Sequence, residues 1–232
     1  MKTKYVISLM VAIWLILMAN ILWQGTNGKW YVEDAEKIGN LEVAKYTNQI
    51  IVVGVGKEET ILCMYEKKTT EGWKLMLETQ ALIGENGLGK TREGDKKTPA
   101  GTFHFTNAFG ILESPGTKLD YLQVNENHYW VDDGNSRYYN QLVSINEVPC
   151  DWRSAEHICK YEEAYAYVLA TSYNMERIPG AGSAVFLHCT SSNMEATAGC
   201  IAVPETYMKQ IMIQVDPQCV LIIDEEENIL HC

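Results

Sequence analysis

Two stretches of the sequence carry its most informative pattern: PGAGSAVFLHC at residues 179–189 and ATAGCIAVP at residues 196–204. Residues 184–187 are apolar and predict a buried strand that delivers His188 to its end. Small and polar residues then lead to Gly199 and Cys200, after which a second apolar run begins. A connection of this kind lets the chain return beside the first strand. The pattern therefore predicts that His188 faces Cys200.

A cysteine that faces a histidine is suited to acyl transfer. A free thiol has a pKa of about 8.5 and is a weak nucleophile near neutral pH, and an adjacent imidazole can accept its proton. Gly199 lets the backbone approach closely, and amide N–H groups around Gly199 and Cys200 are candidates for stabilising an oxyanion. On spacing alone, the alternative remains that Cys200 is half of a disulfide and His188 a structural histidine.

The rest of the chain predicts a single domain of mainly β structure with few helices. Short β-branched, aromatic or alternating runs indicate strands at residues 50–56, 60–65, 73–79, 102–106, 121–124, 129–131, 164–171, 184–187 and 219–224. Residues 154–163 and 204–213 read as helices, and residues 30–42 carry a weaker helical pattern.

The segment GENGLGKT at residues 84–91 matches the phosphate-binding loop pattern G-x-x-x-x-G-K-[ST]. Such a loop requires a strand before it and a helix that begins at its Lys-Thr pair. Residues 75–83 supply a strand, but residues 92–101 contain two glycines and a proline, a composition typical of turns. We therefore expect a glycine-rich connection between strands and no nucleotide site.

Charge and the N-terminus bear on partners and location. The net charge of −11 argues against nucleic acid as a partner. A short basic start precedes the apolar, uncharged residues 5–23, close to the roughly 20 residues that span a bilayer as a helix. This predicts an uncleaved signal anchor, with a cleaved signal peptide as the alternative. We divide the chain into a signal segment at 1–24, a stalk or linker at 25–48, and an extracytoplasmic domain at 49–232.

Seven cysteines occur in the chain, an odd number: Cys63, Cys150, Cys159, Cys189, Cys200, Cys219 and Cys232. Outside the cytoplasm, thiols tend to pair. With Cys200 reserved as a free thiol, the other six cysteines are enough for three disulfides. Alternatively, Cys189 takes no part in the structural disulfides and instead forms a regulatory disulfide with Cys200.

Several separated motifs, in order, resemble the YkuD-type L,D-transpeptidases of bacterial cell walls, and in particular the branch with H…TAGC followed by aliphatic residues. The resemblance covers residues 80–213. It rests on GDKKTPAGT at 94–102, YWVDD at 129–133, YN at 139–140, SAEH at 154–157, YN at 173–174, FLH at 186–188 and TAGC at 197–200. It implies a β-sandwich or mixed-sheet catalytic domain that acts on peptidoglycan stem peptides, anchored in the membrane or secreted to the cell wall.

The resemblance also implies roles for individual residues. Cys200 matches the nucleophile that forms a thioester with the stem peptide, and His188 matches the general acid and base. The backbone carbonyl of Cys189 is implied to orient the His188 ring, and the backbone at Gly199 to stabilise the oxyanion. No metal or cofactor is required by this chemistry. The predicted outcome is cross-linking or remodelling of the cell wall.

Three further residues are candidate substrate-binding groups: His157, Asp132 and Tyr173. Asp132 is a candidate partner for an amine of a diamino acid in the stem, with a turn role as the alternative. The chain departs from much of the family at Ala198, where a second histidine is common, and at Ala202, where arginine or asparagine is common. Transpeptidation, L,D-carboxypeptidase or amidase cleavage, and a catalytically silent wall-binding module therefore all remain open.

Overall fold

The structure is a computed structural model that describes residues 35–230. The expected signal segment at 1–24 lies outside the described residues. Within residues 35–230, no helix combines the length and apolar character needed to cross a membrane.

Most of the described chain is β structure. The strands are β1 (Gln49–Val55), β2 (Thr60–Lys68), β3 (Gly72–Gln80), β4 (Gly101–Gly110), β5 (Tyr121–Gln123), β6 (His128–Val131), β7 (Gln141–Ser144), β8 (Ala155–His157), β9 (Val168–Thr171), β10 (Phe186–Cys189), β11 (Ile201–Val203) and β12 (Val220–Glu225). The α-helices are α1 (Ala35–Asn40), α2 (Glu205–Gln214) and α3 (Glu226–Leu230), and short 3-10 helices span Glu42–Lys45 and Ile158–Lys160.

The strands form two sheets. The larger is a mixed sheet in the order β11-β10-β9-β4-β12-β1-β2-β3, with β5 added beside β4. Its parallel pairs are β1 with β12, β10 with β11 and β4 with β5. The smaller sheet has the order β7-β6-β8 and is antiparallel. The prediction of a mainly β, mixed-sheet fold is confirmed.

Strand β1 lies at the centre of the hydrophobic core, and both of its faces are covered. Ile51 and Val53 belong to one buried cluster, which α2 covers, while Ile50 and Val52 belong to another, which includes Ile38 of α1. Each fully buried side chain of this size contributes roughly 1.5–3 kcal/mol. Burial on both faces explains why β1 reads as a continuous apolar run rather than an alternating one. Helix α1 lies inside the segment expected as linker, so this part of residues 25–48 packs on the sheet.

The helix predicted at residues 154–163 is wrong. Ala155–His157 instead forms β8, paired antiparallel with Tyr129–Val131 of β6, and a single 3-10 turn follows. Local helix propensity differs by less than about 1 kcal/mol between ordinary residues, so the backbone hydrogen bonds and packing of an edge strand override it here. The helix predicted at 204–213 is confirmed as α2, and the strand predicted at 164–171 is confined to β9.

The loop at residues 84–91 has no helix behind it, as its composition predicts. Strand β3 ends at Gln80, and residues 91–100 form turns and an isolated bridge before β4 begins. Backbone hydrogen bonds within the loop join Gly87 to Gly84 and Thr98 to Gly87. The strand-to-helix geometry that cradles a phosphate is therefore missing from this segment.

No disulfide joins any two of the six cysteines within residues 35–230, so the expected disulfides do not form among them. Cys63 is buried in one core cluster, whereas Cys189 and Cys219 are buried in another. Cys189 donates its thiol hydrogen to the carbonyl of Tyr167, and its contact is with backbone rather than with Cys200. Because Cys63 packs in a different cluster from Cys189 and Cys219, it is not placed to form a disulfide with either of them.

Candidate active site

Two neighbouring strands bring Cys200 and His188 together. Strands β10 and β11 run parallel, with Leu187 opposite Ile201 and His188 opposite Ala202. Cys200 directly precedes β11, and both Cys200 and His188 line one cavity of about 360 Å³, here called the thiol cavity. The chain therefore returns beside the first strand, as its pattern predicts.

Backbone groups hold the Cys200 thiol. Its Sγ accepts the Phe186 N–H at 3.3 Å and donates to the Ala184 carbonyl oxygen at 3.1 Å. Burial and the nearby Glu156 carboxylate raise the pKa of the Cys200 thiol to about 12, against the lowering effects of the Phe186 amide and the Lys90 ammonium. The side chain is therefore a protonated thiol at neutral pH.

His188 is buried, and its ring orientation is set by a neighbouring carbonyl. Nδ1 lies 2.7 Å from the Cys189 carbonyl oxygen, the contact expected from the resemblance. With Nδ1 as the donor, Nε2 keeps a free lone pair. The Tyr165 ring packs perpendicular to the imidazole with centroids 5.4 Å apart. Burial lowers the pKa of His188 to about 4, against the opposing effect of the Cys189 and Ala164 carbonyls, so the ring is neutral at neutral pH.

Gly199 occupies a backbone position that excludes other residues. Its φ is +140°, and a Cβ there would lie 2.7 Å from the Lys97 carbonyl oxygen. Its amide donates to Thr197 Oγ1 at 3.1 Å, so the hydrogen expected to stabilise an oxyanion is engaged within the turn. The amides of Ala198 and Cys200 make no hydrogen bond with any residue in the range 35–230, which leaves them as donors.

A buried ion pair reaches the thiol cavity. Lys90 Nζ lies 3.1 Å from Asp95, and the two side chains are only 4% and 7% exposed. Asp95 also accepts the amides of Thr91, Arg92 and Lys97 at 2.8–3.1 Å. Burial acts to raise the pKa of Asp95, but these amides and the Lys90 ammonium hold it well below its usual range. The segments GENGLGKT and GDKKTPAGT thus fold into one loop that carries the Lys90 ammonium to the cavity.

Three carboxylates also line the thiol cavity and are here called the acidic wall: Glu93, Asp132 and Glu156. Glu156 lies on β8 and Asp132 directly follows β6, whereas Glu93 lies between β3 and β4. The Tyr165 hydroxyl donates to Glu156, and the Tyr139 hydroxyl donates to Glu93 at 2.5 Å. Burial, together with repulsion from Asp132 and Glu93, raises the pKa of Glu156 to about 7, against the lowering effect of the Tyr165 hydrogen bond.

The structure places two of the candidate substrate-binding residues outside the lining of the thiol cavity. His157, expected on a helix, ends β8; its Nε2 lies 2.8 Å from the Glu126 carbonyl oxygen, and its ring stacks on Tyr129 at 4.3 Å. Tyr173 donates its hydroxyl hydrogen to the Ala181 carbonyl at 2.6 Å. Both therefore contact backbone carbonyls outside the cavity lining, while the third candidate, Asp132, lines the cavity.

A family model for the YkuD L,D-transpeptidase catalytic domain matches residues 48–223. The chain belongs to this family. The matched range contains every strand from β2 to β11 and the residues that line the thiol cavity. The family predicted from the ordered motifs is confirmed, and the enzymes of this family are acyltransferases that act on peptidoglycan peptides.

Similar solved structures are L,D-transpeptidases of low sequence identity. One from Enterococcus faecium is 16% identical, covers 77% of this chain and 50% of its own, and has a TM-score of 0.38. One from Mycobacterium smegmatis is 12% identical over 76% of this chain and 58% of its own, with a TM-score of 0.39. The chain thus spans about half the length of the Enterococcus protein. No curated protein matches the sequence.

Sequence reasoning missed several residues of this YkuD-family cavity. Glu156 directly precedes His157 in the SAEH motif, and a glutamate in this position does not by itself predict burial. Ser183 lies in the glycine-rich approach to β10 and gives no signal of its own. Asn140, which belongs to the YN motif but received no role from it, lies outside the cavity lining and bridges Trp130 and Ala184 beside it. Together, the lining residues provide a thiol, a neutral imidazole, backbone donors and negative charge.

Proposed function

We propose that this domain is a cysteine acyltransferase, an L,D-transpeptidase that acts on peptidoglycan stem peptides through a thioester on Cys200. One observation carries the proposal. In a chain of the YkuD family, Cys200 and His188 line the same cavity, and His188 is turned by the Cys189 carbonyl so that Nε2 is free to accept a proton. The reaction would cross-link or remodel the cell wall.

In the proposed first step, the Cys200 thiol proton moves to Nε2 of His188 while Sγ bonds to the donor carbonyl carbon. Amide hydrogens of Ala198 and Cys200 are the proposed donors to the oxyanion. The bond from this carbon to the nitrogen of the terminal D-amino acid then breaks, and His188 gives the proton to the leaving amine. Because the thiol pKa is raised and the imidazole pKa lowered, proton transfer accompanies attack rather than preceding it.

In the proposed second step, an acceptor amine attacks the thioester carbonyl. The carbon–sulfur bond breaks, a new amide forms, and the amine proton passes through His188 to the Cys200 sulfur. Water as the attacking group would instead give L,D-carboxypeptidase or amidase cleavage from the same thioester. We place this chemistry outside the cytoplasm, with the domain anchored through the N-terminal segment or secreted to the cell wall.

The test is covalent labelling followed by intact-mass analysis. A carbapenem-type acylating probe and a synthetic tetrapeptide stem should each add one acyl group to the wild type. Cys200→Ala should abolish the adduct, and His188→Ala should slow its formation by at least about a hundredfold, within the range of general acid–base catalysis. Cys150→Ala removes an exposed thiol outside the cavity and is the matched control that should label normally.

An adduct that persists in Cys200→Ala contradicts the proposal. A wild type that never acylates supports a catalytically silent wall-binding module, which the missing histidine at Ala198 also favours. Muropeptide mass analysis after incubation of the domain with isolated wall separates the two acyl-transfer outcomes. New cross-links indicate an amine acceptor, and shortened stems indicate water.

A further inference from the structure

The acidic wall has no cationic partner within the protein. The ion pairs formed within residues 35–230 include none with Glu93, Asp132 or Glu156. The Lys90 ammonium also lines the cavity, but it is paired with Asp95 at 3.1 Å. Three carboxylates that share a cavity without a counterion repel one another, and a bound cation would relieve this repulsion.

Two buried polar atoms that belong to residues lining the thiol cavity point to a missing ligand. Ser183 is only 7% exposed, and its Oγ has no hydrogen-bond partner among the described residues. The Oδ1 atom of Asp132 is likewise buried and unpartnered within this part of the chain. Both residues line the thiol cavity. A buried polar atom without a partner costs about 1–3 kcal/mol, so two of them in one cavity indicate a group that binds there.

We infer that the acidic wall and Ser183 form a subsite for a primary ammonium group of the stem peptide. Each unpartnered oxygen can accept one N–H of an ammonium, which has three donors and no acceptor. The two tyrosine hydroxyls already satisfy one oxygen each on Glu93 and Glu156, so these carboxylates contribute charge while Asp132 and Ser183 contribute direct hydrogen bonds. The inference rests on the proposed function for the identity of the ligand as a stem peptide.

The ammonium has two possible sources, since a diamino acid side chain occurs in a donor stem and its amine is also available as an acceptor. The wall occupies the same cavity as Cys200, so either group can reach it once the stem is bound. Both sources present the same chemical group, a primary amine that is protonated when it binds. The experiment therefore has a binding measurement and two kinetic arms.

Binding is measured by calorimetric titration of the Cys200→Ala protein, so the readout survives failure of the proposed function. The probes are two synthetic tetrapeptide stems that differ only in lysine or norleucine at the third position. We expect the lysine stem to bind about ten- to a hundredfold more tightly, the range for a hydrogen bond to a charged group. Asp132→Asn should remove most of this preference, and Ser183→Ala should reduce it about threefold or more.

Asp120→Asn is the matched control, because Asp120 is exposed and does not line the thiol cavity. In the donor arm, Cys200 acylation is compared for the two stems. In the acceptor arm, the acyl-enzyme is released either by a lysyl peptide or by hydroxylamine, which is uncharged near neutral pH. An Asp132→Asn loss in the donor arm identifies the donor side chain as the ligand, and a loss with the lysyl peptide alone identifies the acceptor.

Equal binding of the lysine and norleucine stems overturns the inference, as does an Asp132→Asn protein that keeps the full lysine preference. Neither result bears on the thioester, which is tested by the acyl adduct on Cys200. Conversely, a protein that binds lysine stems selectively but never acylates retains the ammonium subsite and loses the proposed reaction. Thermal melts of each variant confirm that a lost preference does not come from unfolding.

Discussion

Replacing Asn140 tests how the backbone around the thiol cavity is held. Its Oδ1 accepts the Trp130 indole N–H at 3.0 Å and the Ala184 amide at 3.2 Å. Its Nδ2 donates to the carbonyls of Tyr173 and Asn174 at 3.2 and 3.0 Å. One side chain therefore joins β6, the segment before β10 and the turn after β9. Asn140→Ala would remove all four of these hydrogen bonds.

The expected magnitude follows from two contributions. Asn140 has a φ of +55°, and alanine in this left-handed region costs about 1 kcal/mol relative to asparagine. The substitution also leaves the Trp130 and Ala184 donors unpartnered, at about 1–3 kcal/mol each. We therefore expect the free energy of unfolding to fall by about 3–7 kcal/mol. For a domain of this size, 1 kcal/mol shifts Tm by about 2–4 °C, so Tm should fall by about 6 °C at the least and by up to roughly 28 °C.

Asn193 provides the matched control. Its φ is +63°, and its exposed side chain makes no hydrogen bond to any residue the structure describes. Asn193→Ala should therefore lose only the backbone contribution of about 1 kcal/mol. Asn140→Asp keeps the two accepted hydrogen bonds and loses the two donated ones, and it should fall between the two alanine variants.

The assay is thermal unfolding by calorimetry at neutral pH, with urea unfolding to obtain the free energy. Since the Ala184 carbonyl accepts the Cys200 thiol hydrogen, alkylation of Cys200 by iodoacetamide should also change in Asn140→Ala and stay unchanged in Asn193→Ala. Melting temperatures of the two alanine variants within about 2 °C of each other would contradict this prediction, because hydrogen bonding by Asn140 would then contribute nothing.

Three further predictions concern charge in the cavity. Because the thiolate is the reactive form and the thiol pKa is raised to about 12, the alkylation rate of Cys200 should keep rising through pH 10; a plateau near the ordinary thiol pKa contradicts this. Lys90→Met leaves Asp95 buried and unpaired, so we expect urea unfolding to report a loss of about 3–5 kcal/mol and slower alkylation of Cys200, whereas Lys90→Arg should preserve more of both. The third prediction links pH to stability. The His188 pKa of about 4 lies below its ordinary 6.5, so the unfolded state binds this proton first and stability is lost as pH falls through that window. The Glu156 pKa of about 7 lies above its ordinary 4.5, so its contribution is lost as pH rises between these values. Glu156→Gln should therefore make Tm rise more steeply between about pH 4.5 and 7, and an unchanged slope would be inconsistent with the raised pKa.

Local pattern predicted most of the larger sheet. The continuous β-branched residues of β1 and the polar turn between β2 and β3 indicate their structure without tertiary information, because strands of this kind are defined by composition and short-range turns. The failure at residues 154–163 has the opposite cause. Its helical propensity is weak, and the partner that makes Ala155–His157 a strand is β6, which the local pattern does not include.

The family, the mainly β composition and the pairing of a cysteine with a histidine are all predictable from the sequence alone. These follow from ordered motifs and from a short connection between two adjacent strands. The sequence also indicates that GENGLGKT is not a phosphate loop, because turn residues replace the helix. These conclusions depend on residues that are close together in the sequence. For such residues, the number of intervening residues already limits how the backbone can be arranged.

Which polar groups share the cavity depends on how the chain packs in three dimensions. Glu93, Asp132 and Glu156 come from separate parts of the chain. Asp132 and Glu156 reach the cavity because Trp130 of the small sheet packs on Phe186 of β10, and Glu93 reaches it from the loop before β4. Lys90 lines the cavity because the loop that carries it bridges to Thr197 and pairs Lys90 with Asp95, whereas His157 lies outside the lining. Burial then sets the charge states of these groups, since the pKa of a side chain depends on the solvent and charges around it in space rather than on its position in the chain.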